Sequence, residues 1–319
     1  MKKYYDCSIN KESNSLHRSE SLGPLENDMM ADLGKYAPDF GWERIYDYKK
    51  ADLIVTNGFY PEYILEWSVK NSIPLIKRMD GVYFLNKYKD RNYVHNIAAA
   101  QSNHVIFISE FSKNSLLNLY GFLPDNYTVI LNNVDDTIFK PKEYKNNTNF
   151  TMVTSATNWK RETKRLNTII ELSKIIDKGD IIRLIGYCDI DLPKNIDKIG
   201  YISNYRQKSE LISSSDVFLA LFHKCAGSKV TCQAVSCELP ILFTDSGGVP
   251  EIVKGNGVIV NDDNEIKFID EVPDLDINHL YNKYKMIKRN CRYFPSLYSR
   301  NIPYRITMSK YFDVFNKYV

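Results

Sequence analysis

Four cations, Lys160, Arg161, Lys164 and Arg165, gather just after the apolar run FTMVTSA, in the segment beginning Asn158-Trp159. They fall where a strand gives way to a helix. Cations at such a point suit a diphosphate: their charge neutralises it, and a helix N-terminus adds partial positive charge. A solvated basic helix start is the plainer alternative. Yet cations at a helix N-terminus oppose the helix dipole, so helix stability does not account for them.

A second chemical segment is HKCAGSKVTCQAVSCELPIL. Ala226, Gly227 and Ser228 lie between the apolar run DVFLAL and a helix opening near Lys229. Small residues let backbone N–H groups approach a phosphate, and the helix N-terminus favours an anion. Gln233 lies about one helical turn further in and could face the same ligand. A loop-to-helix turn around a buried polar residue has the same local pattern, and both readings stay open.

Two weaker segments complete the set. In TDSGGVPEIV the paired glycines allow a tight turn, and Glu251 meets a ligand or caps a helix. In KRMDGVYF, at the end of IPLIK, Arg78 and Asp80 sit at a strand end. Taken alone, that pair reads as an ion pair or an Asp-Gly turn.

The elements that would position these residues alternate between short apolar runs and amphipathic stretches, the pattern of parallel βαβ units. In the first half KKYYD, ADLIVTN, IPLIKRM, HVIFIS and YTVILNN read as strands. Helices are predicted near Leu25 to Leu33, over PEYILEWSVKN, near Tyr93 to Gln101 and from Glu110. The polar segment PKEYKNNTNF reads as a linker. The pattern then restarts with strands in FTMVTSA, IIRLIGY, KIGYI, DVFLAL, ILFTD and GVIV. Helices are predicted over Lys164 to Ile176, from Tyr205, over Lys229 to Cys237, over Asn278 to Arg289 and over Ile306 to Val319. The restart predicts two doubly wound α/β domains, residues 1–140 and 141–304, with the terminal helix 305–319 returning to the first. In open parallel sheets ligands bind at the carboxyl ends of strands, where all four chemical segments fall.

Composition excludes several classes. At 319 residues the chain is long for one α/β core and suits two. A formal net charge of +3 and no recognition motif argue against a nucleic-acid partner. None of the six cysteines forms a CxxC pair, and the five histidines show no metal spacing, so no metal site is expected. His223, which opens the second segment, reads as a structural histidine. The N-terminus lacks an apolar signal core, and no apolar run approaches the roughly 20 residues of a membrane helix. These features predict a cytoplasmic protein, with peripheral membrane association left open.

Taken together, the segments VIFISEFSKNSLL, VILNNVDDTIFKPK, SATNWKRETKRL, IRLIGY and GYISNYRQKSELISSSDVFLALFHKCAGSKVTCQAVSCELPILFTDSGGVPEIV resemble the retaining glycosyltransferases of family 4. KRMDGVYF resembles a subgroup with Arg-x-Asp-Gly at this point. The resemblance implies a GT-B fold, two Rossmann-like domains whose parallel sheets face across a cleft. It implies a donor site in the second domain for a nucleoside-diphosphate sugar, UDP-linked in first place and GDP-linked in second. The diphosphate would fall to Lys160 and Lys164, with Arg161 an alternative, and to the loop Ala226, Gly227, Ser228 and Lys229. The base would lie near Gly200 to Asn204, beside Tyr201. Gly23 and Pro24 would be what remains of the acceptor loop, with Arg78 beside it. Asp80 would be the catalytic-face residue, and Asn132 would approach the hinge. The positive groups would replace a divalent metal, with no tightly bound cofactor. The acceptor would be a glycan, lipid or protein hydroxyl, and a homodimer is compatible with the pattern.

One departure stands out. The family carries two glutamates separated by seven residues, and this chain has Cys225 and Gln233 there. A glutamine amide oxygen still accepts a ribose hydroxyl, without charge assistance, whereas a neutral thiol does not replace a carboxylate. Two rival readings follow, a non-catalytic GT-B binding or scaffold protein and a nucleotide-sugar epimerase.

Overall fold

The computed structural model describes residues 1–7, 28–142, 149–291 and 304–319. Gly23, Pro24 and most of the linker PKEYKNNTNF lie outside the described residues. The chain divides into two compact units: unit 1 comprises residues 1–131, 266–268 and 305–319, and unit 2 comprises 132–265 and 269–304.

Unit 1 is built from β1 (Lys2–Asp6), α1 (Asp28–Tyr36), β2 (Trp42–Ile45), β3 (Leu53–Thr56), α2 (Glu62–Asn71), β4 (Leu75–Met79), α3 (Arg91–Ala100), β5 (His104–Phe107), α4 (Glu110–Tyr120) and β6 (Tyr127–Val129). Its sheet runs in the order β2-β1-β3-β4-β5-β6, parallel throughout. Strands β3, β4 and β5 are buried at every position. That explains the mostly apolar runs of β3 and β5, because helices cover both faces of a parallel sheet; β4 is the exception, with Lys77 and Arg78 buried inside it. Ser109 starts α4 by accepting a hydrogen bond from the Ser112 amide at 2.9 Å.

Strand β2 has no counterpart in the sequence reading. Its four residues, WERI, mix polarity and pair only with β1, at the sheet edge. A short edge strand carries little periodic signal. Trp42 holds it, because that ring packs edge-on against Phe315 at 5.5 Å.

Unit 2 follows the same plan with β7 (Thr151–Asn158), α5 (Leu166–Ile175), β8 (Ile181–Tyr187), β9 (Ile196–Gly200), α6 (Tyr205–Ser213), β10 (Val217–Ala220), α7 (Lys229–Ser236), β11 (Ile241–Thr244), α8 (Val249–Val253), β12 (Gly257–Val260) and α9 (Ile277–Asn290). Its parallel sheet runs β12-β11-β10-β7-β8-β9. Strand order reverses between β7 and β10: the chain steps outward through β8 and β9, then returns to β10 on the other side. Helix α9 buries Leu280, Tyr284 and Ile287, a four-then-three spacing that makes one apolar stripe.

The last helix, α10 (Tyr304–Phe315), follows that rule through Met308, Tyr311, Phe312 and Phe315. Phe312 stacks on Phe40 at 5.0 Å and Phe315 lies 5.6 Å from Tyr4, so the chain end completes the unit 1 core. Beyond it, Lys2 Nζ donates to the Val319 carbonyl at 2.8 Å.

Gly186 in β8 marks the tightest backbone approach in the unit 2 sheet. At φ +129° a Cβ there would stand 1.7 Å from the Ala156 carbonyl oxygen, beside the β7–β8 register shift. Both the dihedral and the backbone collision bar a side chain. Gly186→Ala should destabilise the protein by several kcal/mol, on the order of the cost of core overpacking plus a strained dihedral. Urea unfolding of the variant measures it, and a change under about 0.5 kcal/mol would refute this account.

Candidate functional site

The crevice of unit 2 opens where β7 and β10 lie side by side and the following elements diverge. Trp159, the first residue after β7, turns inward and donates its indole N–H to the Ile185 carbonyl at 3.0 Å. Lys160 therefore points outward; its side chain is 67% exposed and pairs with Asp189 at 2.7 Å. Glu162 to Lys164 make a single 3-10 turn in which the Lys164 amide donates to the Arg161 carbonyl. That turn returns Lys164 toward β10. Its ammonium lies 4.4 Å from the centre of the Phe222 ring and 4.0 Å from Cys225 Sγ.

Arg165 departs from the role that its place among four cations suggests. It is buried at φ +55°, and both its terminal nitrogens bind the Asp262 carboxylate, at 2.9 and 2.6 Å. Of the four cations it is the one committed to an internal ion pair.

The loop after β10 is tied on every side. The His223 amide donates to the Thr163 carbonyl at 2.9 Å, and the Lys224 amide to Ser246 Oγ at 2.8 Å. The Gly248 amide donates to the Cys225 carbonyl at 2.9 Å. A Cβ on Gly247 would come within 2.6 Å of the Cys225 nitrogen and 2.5 Å of its oxygen. The paired glycines thus let one loop press its backbone on another. Ser228 caps α7, its hydroxyl accepting from the Thr231 amide at 3.2 Å. Asn132 braces the same loop, donating to the Gly227 carbonyl at 2.8 Å, while its own carbonyl accepts from the Cys232 thiol at 3.3 Å. Ala226 and Gly227 remain half-buried just before the helix N-terminus.

Gln233 is 2% exposed, and its amide oxygen is buried without a hydrogen-bond partner. An unsatisfied buried acceptor costs free energy that a bound donor would recover. Tyr201 stacks face to face on Tyr187, 4.8 Å apart and 4° from parallel. Lys229 opens α7, half-buried, and Glu251 lies in the first turn of α8.

Unit 1 gathers its own polar cluster at the carboxyl end of β4. Arg78 is buried, donates from Nε to the Tyr311 hydroxyl at 3.2 Å and pairs with Asp80. The Asp80 side chain is 51% exposed, so Arg78 holds a carboxylate that faces outward. Lys77, its neighbour, is wholly buried, and its ammonium donates to the carbonyls of Asn57 and Arg78. Burial lowers the Lys77 pKa to about 7, against the favourable charge of Asp80, and burial likewise pulls His95 down to about 4. Sequence reasoning missed Lys77 and Tyr311. A lysine inside a strand buried on both faces was the available signal for the first. The second lies 233 residues from its partner and left none.

Among the described residues no group of three or more His, Cys, Asp or Glu has the geometry to hold a metal ion. No described helix is long and apolar enough to cross a membrane.

Comparison with known proteins agrees with this geometry. Residues 129–275, a range that includes every strand of the unit 2 sheet, match the family model "Glycosyl transferases group 1". A stretch of 104 residues is 29% identical to N-acetyl-alpha-D-glucosaminyl L-malate synthase of Bacillus anthracis, covering 30% of this chain and 27% of that protein. The matched stretch thus spans about a quarter of that relative. Among solved structures, sucrose-phosphate synthase from Thermosynechococcus elongatus superposes with a TM-score of 0.73 at 13% identity, covering 99% of both chains. Anabaena HepE in complex with UDP-glucose gives 0.72 at 12% identity, over 99% of this chain and 100% of that one. A glycosyltransferase from Rickettsia africae gives 0.69 at 14% identity, over 99% and 98%. The fold is the GT-B fold of glycosyltransferases.

Lys77 yields a prediction independent of substrate. Its pKa of about 7 in the folded protein lies below the ordinary value near 10.5 of an unfolded lysine. Between those values the unfolded chain binds the extra proton, so stability should rise with pH from about 7 to about 10. The contribution is complete above the unfolded pKa and lost as pH falls through the folded one. Lys77→Met should flatten that slope in denaturation measured across the window; an unchanged slope would mean that Lys77 is not the group responsible.

Proposed function

We propose that the chain is a retaining glycosyltransferase that moves a sugar from a nucleoside diphosphate to a hydroxyl on a glycan, lipid or protein acceptor. A UDP-sugar is the favoured donor and a GDP-sugar the second choice. One observation carries the reading: the Lys164 ammonium lies against Cys225, at the loop that leads into the N-terminus of α7. A cation and a helix N-terminus converging on one point suit a diphosphate. The structural likeness to HepE, solved with UDP-glucose, supports the choice of donor.

In this reading Lys164 and the α7 N-terminus stabilise the diphosphate as charge develops on it. Arg161 adds charge from the same turn. Lys160 joins by exchanging Asp189, an exposed partner whose loss costs little. Ala226, Gly227, Ser228 and Lys229 form the phosphate cradle. Gln233 accepts a ribose hydroxyl through its unpartnered amide oxygen. Tyr201, stacked on Tyr187, flanks the base. In unit 1 Asp80, held by Arg78, orients the acceptor hydroxyl. The anomeric carbon–diphosphate oxygen bond breaks, the acceptor oxygen bonds to the same face, and its proton passes to the departing phosphate oxygen. Positive groups do the work of a divalent metal, so turnover should survive EDTA.

A second reading is favoured by Cys225 and Gln233, which stand where the family carries carboxylates. In it the same site binds nucleotide sugar without transferring it. Thermal stabilisation by UDP-, GDP-, ADP- and TDP-sugars beside their free nucleotides tests the shared site. A true donor at ~100 times its dissociation constant should add about 2.7 kcal/mol. Lys164→Ala should abolish most of that gain and cut turnover at least ~100-fold, the scale of losing a transition-state contact, while leaving the fold intact. Wild-type turnover in that variant would remove Lys164 from the reaction. Binding without donor cleavage would select the second reading.

Bound donor should also shield Cys225, whose thiol is half-exposed beside Lys164. Mass spectrometry should find Cys225 alkylated at least tenfold more slowly by iodoacetamide in saturating UDP. An unchanged rate would place the nucleotide elsewhere.

A further inference from the structure

Beneath the donor loops of unit 2 lies a wholly internal cluster of ionisable groups. The side chains of Arg165, His223 and Asp262 are 3%, 0% and 1% exposed. Each follows a different strand: Arg165 comes after β7, His223 after β10 and Asp262 after β12. Asp262 is the common partner. It receives both terminal nitrogens of Arg165, at 2.9 and 2.6 Å, and faces His223 Nδ1 at 3.0 Å. Its second oxygen also accepts from the Asp263 amide at 2.8 Å, and its own amide donates to Asp245 Oδ1 at 2.7 Å. Arg165 further donates to the Pro273 carbonyl at 2.8 Å.

Burying three such groups is costly, and apolar residues of similar volume often serve stability as well. A two-pronged pair between guanidinium and carboxylate, however, fixes orientation as apolar packing does not. The orientation matters because of chain position. Arg165 directly follows Lys164, and His223 precedes Lys224 and Cys225. Two backbone strains flank the cluster: Arg165 at φ +55° and Lys224 at φ +47° are left-handed without being glycine. Such conformations persist only where surrounding interactions over-determine them. Burial alone would push the Asp262 carboxyl up, but hydrogen bonds from His223 and Arg165 hold it down at about 2, so it is ionised at neutral pH.

We infer that Asp262 is a positioning residue for the donor grip: through Arg165 and His223 it sets the turn that carries Lys164 against the loop that carries Cys225 to Ser228. The inference rests on the donor reading above. Asp262 acts through the two loops and touches neither sugar nor phosphate.

Asp262→Asn keeps the shape of the side chain and removes its charge. Affinity for UDP and for uridine is measured by calorimetry, with GDP and guanosine alongside, at a temperature where circular dichroism shows the variant folded. The diphosphate should bind at least tenfold more weakly, and the nucleoside as before, because the disturbed groups hold phosphate. Adding Asp262→Asn to Lys164→Ala should weaken UDP no further. A lower melting temperature with unchanged UDP affinity would reduce the cluster to a structural role and overturn the inference. Should Asp262→Asn fail to fold, Asp262→Glu, which keeps the charge but shifts the fork, should show the same selective loss of diphosphate. Amide exchange on the same proteins separates the two ideas. If wild type binds no nucleotide, the donor reading fails, and the His223 and Lys224 amides decide whether Asp262 positions these loops. Faster exchange there, with β8 amides unchanged, upholds it; unchanged exchange at both refutes it.

Discussion

Strands β7 and β10 lie side by side, yet the chain leaves them toward opposite edges of the sheet, and the rest of unit 2 is arranged around the opening that results. A parallel sheet satisfies its backbone along the ladder but offers nothing to the loops beyond its carboxyl edge. Those loops must therefore be held by side chains or by one another. Both devices appear. Gly247 lets the β11 loop press on Cys225, and the ion cluster at Asp262 ties the loops after β7, β10 and β12. Asn132 and Ser228 close the accounting at the start of α7. Lys164 and the segment from Cys225 to Ser228 inherit their positions from this frame.

Unit 1 solves the same problem with chain ends that are distant in sequence. Its β4 terminates in Lys77, Arg78 and Asp80, two cations sunk into the core and one carboxylate turned outward. Arg78 pairs with Asp80 and donates to Tyr311 of α10, and the aromatic stripe of α10 is in turn seated on Tyr4, Phe40 and Trp42. The last helix therefore completes the core and supplies a hydrogen-bond partner to the polar cluster.

Cys225, in the loop after β10, and Gln233, in α7, set the electrostatics around Lys164 and the buried end of this segment. With no carboxylate at position 225, the Lys164 ammonium meets a thiol and the Phe222 ring instead. The neutral amide at Gln233 keeps an acceptor in a buried place at a lower desolvation cost than a carboxylate.

Much of the fold was legible in the amino-acid sequence because most parallel strands buried on both faces are apolar runs. The runs containing β3, β5, β10 and β11 announce themselves on that ground, and α9 and α10 through their apolar spacing. The order of these runs determined the α/β class, and the small residues before Lys229 marked a helix start. Strand β2 was not legible, since four edge residues of mixed polarity carry no period. Tertiary structure alone decided how similar residue types divide their tasks. Four neighbouring cations look alike in sequence, yet Lys160 meets solvent, Lys164 meets Cys225, and Arg165 is consumed by Asp262, 97 residues away. That assignment depends on which loops a sheet brings together, and strand order, not local pattern, sets it.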